Sequence, residues 1–148
     1  MRLNSPRPLT EEHAELHAML THATQEIGAL GEAAKAVAKA MHPHFLREEQ
    51  FAMPPLGLLR EIVESGVTAE HAKALAITNR LRAEMPQMLE DHKEIVVALK
   101  VLLSAARQAD KVEYIEFARK LMLHIRTEEE VFYPAALLVG EYIKLRLI

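Results

Sequence analysis

The sequence predicts an all-α protein: an up-down four-helix bundle with a short accessory helix and a helical C-terminal tail. Three observations predict it. Almost every segment carries apolar residues at helical rather than alternating spacing. Only 5 Gly and 7 Pro stand among 148 residues, which leaves little room for a turn-rich β architecture. The chain also divides into two similar halves, each readable as a helical hairpin. At this length a single domain spanning 1–148 is expected, large enough to bury a real core.

The first helix carries Leu9, His13, Leu16, His17, Leu20 and Ile27 on one face. Thr10 is the expected N-cap, with Pro8 before it and Glu11 and Glu12 in the first turn, where the helix dipole favours acids. Gly28 and Gly31 mark a turn. A second helix over about Glu32–Met53 has the stripe Ala34, Val37, Met41, His44, Glu48 and Phe51, with a bend expected at Pro43 and a stop at Pro54-Pro55. Leu56–Val63, ended by Ser65-Gly66, is the accessory helix. Thr68 caps the third helix, which starts near Ala69. Its stripe is Met85, Met88, Leu89, His92, Ile95, Val96, Leu99, Leu102 and Leu103, with a kink or break at Pro86. The fourth helix opens at Asp110, spaced from Glu113 as in a capping box. It carries Tyr114, Phe117, Leu121, His124, Glu128 and Val131, and Pro134 marks its stop or bend. The tail Ala135–Ile148 packs as a further helical piece.

The positions of the 8 His sharpen this picture. His13 and His44 are 31 residues apart with the glycine turn at their midpoint; His92 and His124 are 32 apart around Gln108–Asp110. Residues equidistant from an antiparallel turn share a level, here about 20 Å from it at ~1.5 Å per residue. There is also an internal repeat. HFLREEQFAMP (His44–Pro54) matches HIRTEEEVFYP (His124–Pro134) as H-Φ-x-x-E-E-x-Φ-x-x-P, and EEHAEL (Glu11–Leu16) matches EDHKEI (Glu90–Ile95), at offsets of 80 and 79 residues.

Composition removes several function classes. The apolar fraction of 50% and charged fraction of 26% are those of a globular protein rather than a disordered one. Zero Cys excludes disulfides, thiolate zinc, Cys-held iron–sulfur clusters and cysteine nucleophiles. A formal net charge of −3 offers no field for a phosphate backbone, so no nucleic-acid partner is expected. No stretch approaches the roughly 18 apolar residues of a membrane span, and MRLNSPRPLT lacks a signal-like apolar run, so the expectation is a cytoplasmic protein without a membrane partner.

A single histidine on an apolar stripe is usually a core residue with a hydrogen-bond partner. Four at matching levels on four helices, with two carboxylates, would be costly to bury unless a divalent metal pair compensated them. Imidazole and carboxylate are natural ligands for such ions. Residues i and i+4 stack on one helix face, so His44 with Glu48, and His124 with Glu128, each offer a nitrogen and an oxygen to one site. With His13 and His92 the candidate metal set is four His and two Glu, the carboxylates bridging. His17, one turn after His13, is a candidate additional ligand. Glu129, like Glu49, is rotated further round; both are expected to support the ligands or to face solvent, and Glu129 at i+5 is the other additional candidate. Leu16, Leu20, Ile95, Phe45 and Leu121 form the expected apolar jacket. His22, His42 and His71 are expected to take no part. HAELH lacks the Glu that a zinc-protease helix needs after its first His, and no Glu stands three before any His as in ferritin-type bundles.

The residues His13, His44-x-x-x-Glu48, His92 and His124-x-x-x-Glu128, with HFLREE and HIRTEE-x-x-x-YP as the most specific segments, resemble the hemerythrin-like (HHE cation-binding) family from about Thr10 to Pro134. The resemblance implies two iron ions joined by an oxo or hydroxo bridge, with an open position for a small ligand. Oxygen-carrying members place His-x-x-x-His in the third helix and His-x-x-x-x-Asp in the fourth, where this chain has Val96 and a choice of Glu128 or Glu129. Members similar to iron–sulfur cluster repair proteins use four His and two Glu, the better match. The expected activity is binding or reduction of O2, NO or peroxide, in oxidative or nitrosative stress, with an electron-donor protein as partner. Non-catalytic O2 or NO sensing, storage or iron holding is the alternative, and a metal-free helical interaction bundle a second. Neither turnover nor oligomeric state is legible in the sequence.

Overall fold

The computed structural model describes residues 3–148; Met1 and Arg2, on which part of the leader reading rests, lie outside the described residues. Four long helices form the bundle: α1 (Arg7–Thr24), α2 (Ala29–Arg47), α4 (Leu75–Gln108) and α5 (Val112–Thr127). α3 (Leu59–Ser65) lies in the crossover between α2 and α4, and α6 (Tyr133–Arg146) ends the chain. α1 packs on α2 and α5, and α4 on α2 and α5, so the helices close a ring in the order α1, α2, α4, α5, with α6 laid against α4. There is no strand among the described residues, and no helix is long and apolar enough to cross a membrane.

Helix periodicity sets the buried faces. Leu16, Leu20, Val37, Ile95, Leu99, Phe117 and Leu121 meet in one apolar cluster towards the two hairpin turns. Phe51, Leu56, Leu81, Met88, Tyr133 and Ala136 form a second at the other end. Each buried Leu, Ile or Phe contributes about 1.5–3 kcal/mol relative to exposure.

Helix boundaries depart from expectation for local reasons. α1 starts at Arg7, because Pro6 and Pro8 tolerate the first turn's missing N–H bonds; Thr10 is therefore inside the helix, its hydroxyl donating to the Pro6 carbonyl at 3.2 Å. Ile27 lies beyond α1 and is exposed. Gly28 adopts φ +79 before α2, a conformation that favours glycine. Thr68 precedes a short 3₁₀ turn, Ala69–Ala74, ahead of α4. Asp110 does not cap α5; it takes φ 55 in the turn, and the helix begins at Val112 after Lys111. Pro43 and Pro86 break neither α2 nor α4. Both rings are on exposed positions, as are Lys39 and Arg82 four residues back, so the carbonyls they leave unbonded reach water. Val131, expected in the core stripe, is exposed. Where α6 crosses α4, a Cβ on Gly140 would come within 2.7 Å of Thr78 Cβ, so only glycine allows that approach.

Two π-helical turns follow α2 and α5, at Glu48–Ala52 and Glu128–Phe132. The repeat explains both. Pro54 and Pro134 cannot bond to the carbonyls of Gln50 and Glu130, four residues back. Just before each proline the ladder shifts register: Met53 N–H bonds to the Glu48 carbonyl, and Tyr133 N–H to that of Glu128, each five residues back.

Candidate metal centre

The six residues of the metal set converge between the two apolar clusters. His13, His44, His92, His124, Glu48 and Glu128 are all buried. They form two groups whose donor atoms lie within 4.8 Å of one another: His44, Glu48, His92 and Glu128; and His13, His124 and Glu128. Glu128 belongs to both. Its Oε1 is 3.1 Å from His92 Nε2, and its Oε2 is 3.1 Å from His124 Nε2 and 3.7 Å from His13 Nε2. Glu48 Oε1 lies 3.4 Å from His44 Nε2 and 3.8 Å from His13 Nε2. All four Nε2 atoms thus face inward.

The Nδ1 atoms face outward, each toward an acid on the neighbouring helix or the π turn that continues it. His44 Nδ1 is 3.0 Å from Asp91 Oδ2 on α4, and His92 Nδ1 2.6 Å from Glu129 Oε2 beyond α5. His124 Nδ1 meets Glu12 on α1, and His13 Nδ1 is 3.9 Å from Glu49 beyond α2. The ring of four acids follows the ring of helices. An acid at Nδ1 orients the ring and aims Nε2 into the centre, where a metal would take its lone pair. Asp91 is itself held by Arg47 and by Gln87 at 2.8 Å.

Burial pushes the Glu48 carboxyl well above the usual range, and the neighbouring Glu128 charge adds to it. Burial acts the same way on Glu128, but hydrogen bonds from Glu48, His124, His13 and His92 outweigh it and hold that group low. Burial lowers the His44 pKa despite the bond to Asp91. At His92 and His124 burial is overcome by the bond to Glu128, and both pKa values rise. Glu48 Oε1 and His13 Nδ1 remain buried without a hydrogen-bond partner. An inward carboxylate oxygen left unbonded beside the Nε2 atoms of His44 and His13, in a buried set of four imidazoles and two carboxylates, is what a divalent cation satisfies, so these residues fit a metal.

His17 is not brought into the cluster. It is exposed, its ring 6.4 Å from that of His42 across the α1–α2 groove. Glu129 accepts from His92 Nδ1 rather than facing the centre. His22 pairs with Tyr114 at 2.8 Å, and His71 ties Thr68 to Glu61 at 2.9 Å on each side; neither touches the cluster. The proposed jacket residues Leu16, Leu20, Ile95, Phe45 and Leu121 are all buried, and Phe45 stacks on His13 at 4.4 Å.

Three residues at the site escape the sequence reading. Glu12 and Asp91 each stand directly before a cluster histidine, in the matching EEH and EDH triplets, and that repeat was the available signal. Tyr133 is the third. Its hydroxyl donates to Glu48 Oε2 at 2.8 Å and lies 3.3 Å from His44 Nε2 and 3.2 Å from His92 Nε2. At about 100° per residue it should point away from Glu128; the π turn brings it round.

No curated protein and no solved structure matches the chain. Residues 6–136 do match the hemerythrin HHE cation-binding domain, nearly the whole bundle with its buried His/Glu cluster, and the chain therefore belongs to that family.

Proposed function

We propose that the cluster holds two iron ions and that the protein binds or reduces a small oxidant, O2, NO or peroxide, in defence against oxidative or nitrosative stress. His44, Glu48, His92 and Glu128 hold one ion; His13, His124 and Glu128 hold the other. The observation that carries this reading is Glu128, whose two oxygens face different histidines, as a bridging carboxylate's do, beside the unbonded Glu48 Oε1. Bound iron supplies the electrons and the open coordination position at which a small oxidant binds. The chain supplies the rest. The acids at Nδ1 keep the imidazoles aimed and basic, the two carboxylates neutralise part of the metal charge, and Phe45, Leu16 and Leu121 exclude water from the centre. Turnover would draw its electrons from an electron-donor protein.

The test is anaerobic loading with iron(II), metal analysis, then rapid mixing with O2, NO or peroxide. Two ions per chain and a reaction at the visible spectrum are expected. Consumption of oxidant over many equivalents establishes turnover, and a stable reversible adduct establishes binding without it. Well under one metal per chain after iron-replete expression overturns the reading in favour of a metal-free helical bundle.

A further inference from the structure

Tyr133 makes the two halves of the centre unequal. Its phenolic oxygen is surrounded by Glu48 Oε2 at 2.8 Å, His92 Nε2 at 3.2 Å and His44 Nε2 at 3.3 Å. Donors held about 2.0–2.2 Å from one ion and set at right angles lie roughly 3 Å apart, which is the spacing of all three contacts. The same spacing separates His92 Nε2 from Glu128 Oε1, at 3.1 Å.

The atoms that hydrogen-bond to Tyr133 in the metal-free chain are the same ones that face the metal position. His44 and His92 direct Nδ1 at Asp91 and Glu129, which leaves both Nε2 atoms facing the phenolic oxygen and free to bind a metal once it displaces any proton there. The phenol has one proton and gives it to Glu48. Its oxygen also lies within reach of both Nε2 atoms, so one oxygen meets three neighbouring donor atoms at a single point. A cation at the focus of these atoms would turn each contact into a pair of donors sharing one ion.

We infer that Tyr133 is a fifth protein donor, through its phenolic oxygen, to the metal position bounded by His44, Glu48, His92 and Glu128. The inference rests on the two-metal reading above. On binding, the phenolic O–H bond breaks, the proton leaves to solvent, an oxygen–metal bond forms, and no electron changes hands. The repeat places Met53 where the second half has Tyr133, so the His13, His124 and Glu128 position has no matching oxygen. That position has three protein donors against five and is the one left open to a small ligand. Access agrees. The groove between α1 and α2, lined by Thr10, His13, Phe45 and Glu49 among others, opens at His13, and a second, lined by Glu12, His124 and Phe132, opens at His124.

The experiment loads the full chain with iron, oxidises it to iron(III), and records metal content, the visible spectrum and resonance Raman scattering. A phenolate-to-iron(III) charge-transfer band with enhanced tyrosine ring modes is expected. Tyr133→Phe should lose both while retaining the helical circular dichroism and at least half the iron; Tyr114→Phe and Tyr142→Phe should keep both. A wild-type protein with two iron ions and no phenolate signature overturns the inference and leaves the two-metal reading standing. Persistence of the signature in Tyr133→Phe overturns it equally. Absence of iron from the wild type overturns the two-metal reading itself, and the inference with it. The wild-type spectrum decides the matter even if the Phe variant fails to fold.

Discussion

The two ends of the bundle interior are built on the same helix faces and held by opposite physics. Toward the hairpin turns, Leu20, Val37, Leu99, Phe117 and their neighbours fill the interior with apolar groups, and polar atoms appear only at the edge, where Tyr114 bonds to His22 and Glu26. One to two turns further along the same stripes stand four imidazoles and two carboxylates, equally buried. The first region stabilises the chain by leaving water. The second is a cost to the metal-free chain, since buried acids must be shielded or protonated. The difference teaches that the apolar half carries the fold and leaves the polar half free to serve a ligand.

The sharpest break between the regions is expected from Glu128→Ala. It removes the carboxylate common to both groups, and metal content, read by elemental analysis, should fall from two ions to well below one per chain. Unchanged content would count against the bridging role. Phe117→Ala should do the reverse: it costs about 3–5 kcal/mol of stability in chemical unfolding, yet the folded fraction keeps its metal. Glu48→Gln sharpens the contrast, because it preserves volume and removes a buried acid. The metal-free protein should gain about 1 kcal/mol or more in unfolding free energy while metal binding weakens; a loss of apoprotein stability would show that the acid is structurally paid for.

Smaller effects follow outside the cluster. Asp91→Asn leaves His44 Nδ1 without its carboxylate and should weaken metal binding about 10–100-fold in a competition titration. Acid should act in the same direction. The pKa values of His92 and His124 lie above the ordinary imidazole value of about 6.5. Protons therefore begin to displace metal as pH falls through a range above that value, and affinity should rise with pH across it. An affinity that does not change with pH above about 6.5 would contradict the arrangement. His22→Ala and His71→Ala should leave metal content unchanged, since neither residue touches the cluster.

Much of this was legible before any coordinates. Helical periodicity carries the four long helices, and the symmetric spacing of His13, His44, His92 and His124 around two turns carries their common level. What escaped was local or lateral. Thr10 and Asp110 look like caps, but prolines move one helix start upstream and a left-handed residue moves the other downstream. His17 shares the α-helical stripe of His13, yet one turn along it the stripe has rotated toward solvent in the α1–α2 groove. Tyr133 was hidden because a regular 100° step does not hold across a π turn.

By itself, the sequence determined the helices, the buried stripes and the two halves of the repeat, because periodicity and turn residues act within one hairpin. Only the tertiary structure decided which acid meets which Nδ1, that Glu128 reaches both groups, and that Tyr133 faces one group and not the other. Those pairings depend on the helix order around the ring and on two shifts of backbone register, and distances between helices are set by packing rather than by spacing along the chain.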